Sequence, residues 1–257
     1  MSEAVVKFSA VQKRFGTHTV LDGIDLTFAR GEFVSFIGPS GCGKSTLLRL
    51  IAGLTSASSG EVTVEGQDPG QVRGSLFFVF QDPNLLPWRR VAANVDLPLM
   101  LRGDAAAGRK SRVAEMVKLV GLEGAEQKYP WQLSGGMRMR VSIARALSVA
   151  PRILLLDEPF GALDEMTRDR LNEDLLTIRQ ADPFTAFFVT HSVMEAVFLS
   201  SKIVVLSANP GRVAAVVDVP FGYPRPPELR ESVEYLELLA RTTKLLRAVL
   251  PAPVRTG

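Results

Sequence analysis

The chain has 257 residues, of which 46% are hydrophobic and 22% are charged, and its formal net charge is +3 at pH 7. This length and balance are typical of a globular protein with one large α/β domain, alone or with a small appendage. The sequence has no run of about eighteen apolar residues, the length needed to span a bilayer. The single cysteine, Cys42, excludes an internal disulfide. No dense basic block is present, so no nucleic-acid partner is expected. The first residues, MSEAVVKFSA, lack the pattern of a secretory signal, so we expect a cytosolic location.

Three segments before residue 67 alternate apolar with polar residues, which predicts antiparallel strands. They are VVKFSAV (5–11), TVLDGIDLTF (19–28) and VTVEG (62–66). A continuous apolar run, LFFVF (76–80), predicts a buried strand instead. Because this run stops at Gln81, the strand brings a polar side chain to the edge of a sheet.

Between these strands lies GPSGCGKST (38–46), which has the residue spacing of a phosphate-binding loop. Glycines let the backbone turn tightly with its N–H groups facing anionic oxygens. Lys44 supplies a positive charge to the β- and γ-phosphates, and the Ser45 hydroxyl is placed to bind Mg²⁺. The context agrees, because GEFVSFI (31–37) predicts a buried strand and KSTLLRLIAG (44–53) predicts a helix whose N-terminus faces the phosphates. The loop by itself does not separate kinases, GTPases, helicases and transport ATPases.

The rest of the chain alternates strand and helix patterns around a helical segment. From about Pro87 to Ala150 the sequence is mostly helical. Strand patterns then return as RILLL (152–156), TAFFVT (185–190) and KIVVL (202–206). Such alternation predicts a parallel sheet interrupted by a helical insertion. A proline-rich break, FGYPRPPELR (221–230), precedes a predicted amphipathic helix, SVEYLELLARTTKLLRAVL (232–250).

Two of these strands end in side chains that suit phosphate chemistry. RILLLDEP (152–159) places Asp157 and Glu158 at the end of an apolar strand, so one carboxylate can hold Mg²⁺ while the other orients or deprotonates the attacking water. FFVTH places His191 at a strand end, where it could contact a γ-phosphate. Ser192 and Glu195 form a capping box, which predicts a helix directly after His191.

A second helix start, in LSGGMRMRVSIARAL (133–147), completes the pattern. Ser134, Gly135 and Gly136 predict another anion-binding N-terminus with close backbone access. The other members of the pattern are, in chain order, Phe15, Gln81, Asp157 with Glu158, GALD (161–164) and His191. In this order and at these spacings, the sequence resembles the ATP-binding cassette (ABC) ATPases from residue 4 to about residue 217.

The resemblance implies ATP and Mg²⁺ as cofactors and a role for each matching residue. Phe15 is expected to stack on adenine. The expected catalytic set consists of Glu158 as the base, His191 as the switch histidine, and Lys44. The expected nucleotide contacts are Phe15, Gly38, Pro39, Ser40, Gly41, Cys42, Gly43, Lys44, Ser45, Thr46, Gln81, Ser134, Gly135 and Gly136. The expected Mg²⁺ set is Ser45, Gln81 and Asp157, and Asp164 lies in a loop that crosses to a partner subunit.

The resemblance also implies a fold: an α/β P-loop ATPase with a mostly parallel core sheet, an N-terminal antiparallel β subdomain and an inserted helical subdomain. The expected domains are an ATP-binding core with the β subdomain (1–86 and 151–219), a helical signature subdomain (87–150) and a C-terminal extension with a proline-rich break (220–257). Met137 and Met139 stand where the family most often has glutamine. Hydrogen bonding by the side chain of residue 137 is therefore lost.

Three less specific segments resemble the importer ATPases of the nitrate, sulfonate and taurine group. They are LLPWRRVAANVDLPL (85–99), the NPGRV turn (209–213) and PRPPELR (224–230). We therefore expect an ATPase that energises uptake of a small anionic solute at the cytoplasmic face of a membrane. Its expected partners are membrane permease subunits, a second copy of the ATPase and, indirectly, a solute-binding protein. Trp88 either packs a helix against the core or faces a partner.

Two alternatives stay open at this point. One is an ABC ATPase of a lipid-trafficking or export system, which the ATPase motifs do not exclude. The other is a soluble, non-transport ABC protein that acts on DNA or ribosomes. Such proteins usually carry a coiled-coil insertion or two cassettes in tandem, and neither is present in this sequence.

Overall fold

The computed structural model describes residues 4–161 and 163–250, apart from the side chain of residue 73. These residues fall into two compact units, unit 1 within Met1–Arg73 and Thr185–Gly257, and unit 2 within Gly74–Phe184. The strands are β1 (Ala4–Phe15), β2 (His18–Ala29), β3 (Phe33–Ile37), β4 (Ser59–Val64), β5 (Leu76–Val79), β6 (Ile153–Asp157), β7 (Thr185–Val189), β8 (Lys202–Leu206) and β9 (Val213–Asp218). The helices are α1 (Lys44–Ile51), α2 (Val91–Arg102), α3 (Ala106–Leu119), α4 (Gly135–Ser148), α5 (Glu165–Ala181), α6 (Val193–Leu199) and α7 (Val233–Val249).

The first sheet of unit 1 is antiparallel, with strand order β2-β1-β4. β1 and β2 form a hairpin in which Phe15 pairs with His18, and Gly16 turns the chain at a φ of 58° that glycine adopts without strain. Val6 and Phe8 are buried on one face of β1. The alternating apolar pattern therefore predicted these strands and their antiparallel pairing correctly.

The second sheet of unit 1 contains the parallel strands β7, β3 and β8, with β3 between the other two. All residues of β3 and β7 are buried, which explains why their sequences are continuous apolar runs. The carboxyl ends of these strands therefore meet at one edge of the sheet. Antiparallel β9, which pairs with β8, was not predicted, because two alanines weaken its strand pattern.

The C-terminal helix α7 begins after Ser232, whose hydroxyl accepts a hydrogen bond from the N–H of Tyr235. Its buried face carries Tyr235, Leu238 and Thr242, at the three- and four-residue spacing that places side chains on one side of a helix. This face packs against α6, β8 and β9, so the predicted amphipathic helix is confirmed.

Unit 2 combines the parallel pair β5 and β6 with helices α2 to α5. Helix α4 is buried along most of its length and packs against α2, α3 and β5. The predicted helical segment is confirmed, but β5 is less buried than its apolar sequence suggested, since only Val79 is fully buried. The observed architecture is the predicted α/β class. In the part of the chain that the structure describes, no helix is both long and apolar enough to cross a membrane.

Candidate functional site

The phosphate-binding loop connects the buried end of β3 to the start of α1. Gly43, in the left-handed region at φ 96°, immediately precedes α1, and the first bond of this helix runs from the N–H of Leu47 to the carbonyl of Gly43. The N–H groups in the first turn of a helix lack acceptors within the helix, so they are available to anionic oxygens. Tight packing requires the glycines, because a Cβ at Gly38 would lie 2.6 Å from the carbonyl oxygen of Leu206. A Cβ at Gly43 would lie 2.5 Å from the side chain of Leu21.

Lys44 places its ammonium group inside this loop. The side chain is buried, and Nζ donates hydrogen bonds to the carbonyl oxygens of Gly38 at 2.9 Å and Pro39 at 3.0 Å. The ammonium of Lys44 can exchange these two neutral carbonyls for anionic oxygens, because hydrogen bonds between oppositely charged groups are stronger. Together with the helix N-terminus, the loop therefore fits the phosphates of a nucleotide.

Cys42 lies within the loop, and its buried side chain packs against Gly38, where a Cβ would come within 2.8 Å of Sγ. Burial raises the pKa of the Cys42 thiol, and the nearby Lys44 opposes that shift. The thiol therefore stays protonated and neutral at pH 7. These contacts support a packing role for Cys42 within the loop.

The NPGRV turn (209–213), which connects β8 to β9, supports the phosphate-binding loop. Gly211 donates to the carbonyl of Val20 at 2.9 Å and accepts from the N–H of Asp22 at 3.0 Å, so it is bonded to β2. A Cβ at Gly211 would lie only 2.1 Å from the carbonyl oxygen of Cys42. Arg212 forms a salt bridge with Asp22 at 2.5 Å. The NPGRV turn, one of the segments that resemble the importer ATPases, therefore joins β2 to the phosphate loop.

Phe15 lies at the end of β1 and is 52% exposed. The ammonium of Lys13 lies 4.6 Å from its ring centroid and donates to the carbonyl oxygen of Ser56 at 2.7 Å. A cation on one face of an aromatic ring is favourable and holds the ring in place. An exposed ring at this position suits stacking on a planar base.

His191 follows β7, the strand next to β3. The phosphate loop and His191 therefore leave neighbouring parallel strands at the same edge of the sheet, where ligands bind in open α/β sheets. Helix α6 begins two residues after His191, with Ser192 as its N-cap, as predicted. The capping box is only half formed, because the N–H of Ser192 bonds to the hydroxyl of Thr190 rather than to Glu195.

Unit 2 carries the acidic pair and the glutamine. Asp157 ends β6, and Glu158 follows it with a φ of 48°, in the left-handed region that non-glycine residues rarely adopt. A Cβ at Gly161 would lie 3.8 Å from Nε2 of Gln81 and 3.8 Å from Cβ of Glu158. The amide of Gln81 and the side chain of Glu158 therefore flank the same glycine. A backbone outlier at a carboxylate that follows a buried strand is typical of a functional site.

Helix α4 begins at the LSGG segment. The hydroxyl of Ser134 caps this helix by accepting from the N–H of Met137 at 3.3 Å. Gly136 is needed for packing as well as backbone access, because a Cβ there would lie 3.0 Å from the side chain of Thr167. Met139, which stands where the family most often has glutamine, is buried, so an apolar side chain occupies this interior position.

Asp164, in the GALD segment, caps the start of α5. Its carboxylate accepts from the N–H of Thr167 at 3.0 Å. This bond to Thr167 lowers the pKa of the exposed Asp164 carboxyl below its usual value. Thr167 therefore contacts both the cap of α5 and the glycine at the start of α4, which links the two helix starts of unit 2.

The segment after Gln81 is held by two buried side chains that the sequence did not reveal. Arg145, on α4, donates to the carbonyl oxygens of Pro83 at 2.8 Å and Asn84 at 2.9 Å. Burial lowers the pKa of its guanidinium. Asn94, on α2, bonds to the N–H of Leu86 at 2.8 Å and to three carbonyls of the same segment. Trp88 lies in this fixed segment and is 69% exposed, so it does not pack into the core.

The residues predicted for the site divide between the two units. Unit 1 contributes Phe15, Gly38, Pro39, Ser40, Gly41, Cys42, Gly43, Lys44, Ser45, Thr46 and His191. Unit 2 contributes Gln81, Ser134, Gly135, Gly136, Asp157 and Glu158. A phosphate loop with a buried lysine at the carboxyl edge of a parallel sheet defines the class of P-loop nucleoside triphosphatases.

The family follows from a direct comparison, in which the ABC transporter family matches residues 21–161. The chain belongs to this family. An uncharacterized ABC transporter ATP-binding protein of Methanocaldococcus jannaschii is 47% identical over 230 residues, which cover 88% of this chain and 84% of that protein. Aliphatic sulfonates import ATP-binding protein SsuB of Bacillus cereus is 46% identical, over 83% of this chain and 84% of its own length. Taurine import ATP-binding protein TauB of Escherichia coli is 47% identical, over 81% and 82%.

Solved structures agree with this assignment. An ATP-binding cassette solved as a dimer in a post-hydrolysis state, bound to ADP and Pi, superposes with a TM-score of 0.74 at 33% identity. The match covers 84% of this chain and all of that chain. The fold is therefore that of the ABC ATPases.

Proposed function

We propose that this chain is the ATP-hydrolysing subunit of an ABC importer that energises uptake of a small anionic solute through separate membrane permease subunits. The observation that carries the proposal is a phosphate loop and an LSGG helix start in a chain 46% and 47% identical to sulfonate and taurine import ATPases. These relatives favour import over lipid trafficking, export or a non-transport role. Nitrate, alkanesulfonates and taurine all carry a compact anionic group, which defines the proposed class of solute.

In this proposal, unit 1 binds the nucleotide. Adenine stacks on the exposed ring of Phe15, whose position is supported by Lys13. The β- and γ-phosphates replace the carbonyls of Gly38 and Pro39 as partners of the Lys44 ammonium, while N–H groups of the loop donate to the phosphate oxygens. The gain from this exchange is the pairing of an ammonium with anionic oxygens.

The catalytic groups divide between the two units. Glu158 is the proposed base that takes a proton from the attacking water, and His191 contacts the γ-phosphate from the strand edge it shares with the loop. Ser45, Gln81 and Asp157 supply the oxygen ligands that Mg²⁺ prefers and would hold this ion. When bound, Mg²⁺ would neutralise part of the negative charge on the phosphates.

The chain is proposed to work as a pair of copies. Ser134, Gly135 and Gly136 start a helix whose N-terminus attracts anions. In the proposed dimer, this helix start contacts the γ-phosphate bound by the other copy, and Asp164 lies in the loop that crosses to that copy. A self-complementary arrangement forms two such sites at once.

We assign residues 1–86 and 151–219 to the ATP-binding core with its β subdomain, 87–150 to the helical signature subdomain, and 220–257 to the C-terminal extension. The segment around Trp88 is the proposed contact with the permease, because it is exposed, aromatic and fixed by Arg145 and Asn94. Docking there places the chain at the cytoplasmic face of the membrane as a peripheral subunit. A solute-binding protein acts indirectly, by delivering solute to the permease.

Uptake of radiolabelled taurine, an alkanesulfonate and nitrate by cells that carry wild-type protein or Glu158→Gln tests this proposal. Glutamine keeps the shape of the side chain but is not a base, so we expect uptake to fall by at least about 10²-fold. Binding of ATP to the purified variant is expected to stay within about threefold of wild type, a difference of only ~0.7 kcal/mol. Uptake of all three solutes at the wild-type rate in the variant cells contradicts the proposal.

A further inference from the structure

We propose that the C-terminal extension positions His191, by clamping helix α6 through the side chains of Tyr223, Arg225 and Tyr235. We call these three residues the tail clamp. The inference rests on the proposed role of His191 at the γ-phosphate, and it assigns Arg225 as a positioning residue. All of the contacts lie within unit 1.

Arg225 is a charged side chain that is only 5% exposed. Its guanidinium donates to the carbonyl oxygens at the end of α6: Val197 at 3.2 Å, Phe198 at 2.7 Å and Ser200 at 3.0 Å. It also donates to the carbonyls of Phe221 and Gly222, near its own position in the chain. The planar, forked guanidinium therefore fastens the extension to the C-terminus of one helix.

Every carbonyl in the last turn of α6 has a partner, and the clamp supplies three of the four. The N–H of Ser200 bonds to the carbonyl of Ala196 within the helix pattern. Arg225 takes the next two carbonyls, and the hydroxyl of Tyr223 donates to that of Leu199 at 2.6 Å. Such carbonyls have no partner within a helix and carry its negative dipole, so a permanent cation at this end is favourable.

The other end of α6 is also held by the extension. The buried Tyr235, on α7, donates from its hydroxyl to the carbonyl of Met194 at 3.0 Å. Arg230, also from the extension, adds a contact at the C-terminal end of α6, where its guanidinium carbon lies 3.7 Å from the ring centroid of Phe198. Helix α6 is therefore contacted near its start and at its end by residues from 223 to 235.

His191 lies between this clamped helix and a fixed strand. On one side, the N–H of Thr190 bonds to the carbonyl of Phe36, at the end of β3. On the other, the N–H of Ser192 bonds to the hydroxyl of Thr190, which in turn donates to the carboxylate of Glu195 in α6. A shift of α6 relative to β7 would therefore move the backbone at His191.

Helix α6 has seven residues, which is too short for a stable helix without tertiary contacts. Its orientation therefore depends on what holds its ends. The extension contacts both ends, through Tyr235 near the start of the helix and through Tyr223 and Arg225 at its end. The effect expected from loosening the clamp is a misplaced His191 and slower hydrolysis, with nucleotide binding by the phosphate loop preserved.

The test uses Tyr223→Phe, which removes one hydroxyl, and Arg225→Lys, which keeps the charge but loses the fork, in the full chain. The matched control is Arg247→Gln, an exposed position on α7. We expect Arg225→Lys to lower kcat for ATP hydrolysis by at least about tenfold, since small misplacements of a reacting group have large effects. Tyr223→Phe is expected to lower kcat less, and KM for ATP is expected to stay within about twofold in both variants.

A spectroscopic measurement distinguishes positioning from a general loss of stability. The chain has two histidines, so ¹³C-labelling of histidine gives one ring signal for His191 and one for His18 as an internal reference. With ADP and Mg²⁺ bound, we expect Tyr223→Phe to shift the His191 signal and leave the His18 signal unchanged. If Arg225→Lys fails to fold, Tyr223→Phe alone carries this test.

The clamp is refuted if the variants lower the unfolding temperature but leave kcat and the His191 signal at their wild-type values. A change in KM without a change in kcat also counts against it. His191→Gln separates this inference from the proposed function. A wild-type kcat in His191→Gln overturns the proposed role of His191. A large loss of kcat in His191→Gln, together with wild-type kcat in Tyr223→Phe and Arg225→Lys, overturns only the clamp.

Discussion

Helices α1 and α4 both begin where the proposed mechanism needs an anion site, but they are built differently. Helix α1 has a glycine before its first turn with no side-chain cap, and the charge comes from the buried Lys44. Helix α4 is capped by the hydroxyl of Ser134, which accepts the N–H of Met137. The first start is a loop shaped for several phosphate oxygens, and the second is a capped helix end.

The difference indicates what the start of α1 and the start of α4 each contribute to nucleotide binding. The α1 start is fixed from behind by Gly211 and carries a full charge, so it can bind nucleotide without help from α4. The α4 start uses a hydroxyl, which can donate to a phosphate while it still accepts the N–H of Met137. We therefore expect α1 to dominate affinity and α4 to sense whether a γ-phosphate is present.

The largest effect is expected at α1. Lys44→Ala removes the charge that pairs with the transferring phosphoryl group, and backbone N–H groups alone do not replace it. We expect ATP turnover to fall by about 10²–10³-fold, the loss typical of a group that stabilises charge in a transition state. The measurement is steady-state hydrolysis, with the exposed Lys118→Ala as control. A rate within about threefold of wild type, ~0.7 kcal/mol, rejects the role of Lys44.

A smaller effect is expected at α4, where two substitutions separate capping from phosphate binding. Ser134→Asp keeps a good N-cap but adds a negative charge, so stability is expected to change by less than ~0.5 kcal/mol while turnover falls at least tenfold. Ser134→Ala loses the cap, which costs ~1 kcal/mol of stability. Thermal unfolding and ATP hydrolysis are measured on both variants. Wild-type turnover in Ser134→Asp shows that this helix start does not meet a phosphate.

The smallest effect is expected behind the loop. Gly211→Ala places a Cβ 2.1 Å from the carbonyl oxygen of Cys42, so the loop has to shift. We expect the Kd for ATP to rise about three- to tenfold, which is ~0.7–1.4 kcal/mol. Gly108→Ala is the matched control, because its Cβ meets nothing within 4 Å and alanine favours helix α3 by up to ~1 kcal/mol. Equal affinities in the two variants, measured by calorimetry, refute the supporting role of Gly211.

Much of the fold was predictable because its signals are local. Alternating apolar residues predicted β1 and β2, and continuous apolar runs predicted β3 and β7, since burial on one or two faces is written into a few consecutive residues. The capping box at Ser192 predicted the start of α6 for the same reason. Strand β9 was missed because its alanines fit helix as well as strand, and only its pairing with β8 decides between them.

The candidate site was predictable as a set of residues, because each motif has a fixed spacing along the chain. The contacts that hold those residues were not predictable. Arg145 bonds to a carbonyl 62 positions away, and Arg225 bonds to one 27 positions away. An arginine by itself is interpreted as a solvated charge, and the sequence does not show which distant carbonyls accept its hydrogen bonds.

The sequence by itself determined most of the elements, their order, the phosphate loop and the chemical groups available for ATP hydrolysis, because propensity, periodicity and motif spacing act between near neighbours in the chain. Only the tertiary structure decided that Gly211 supports the loop, that Arg145 and Asn94 hold the segment around Trp88, and that Arg225 caps α6. The physical reason is that these contacts satisfy carbonyl and N–H groups, which every residue carries. A backbone acceptor has no signature in the sequence, so its partner becomes known only when the chain is folded.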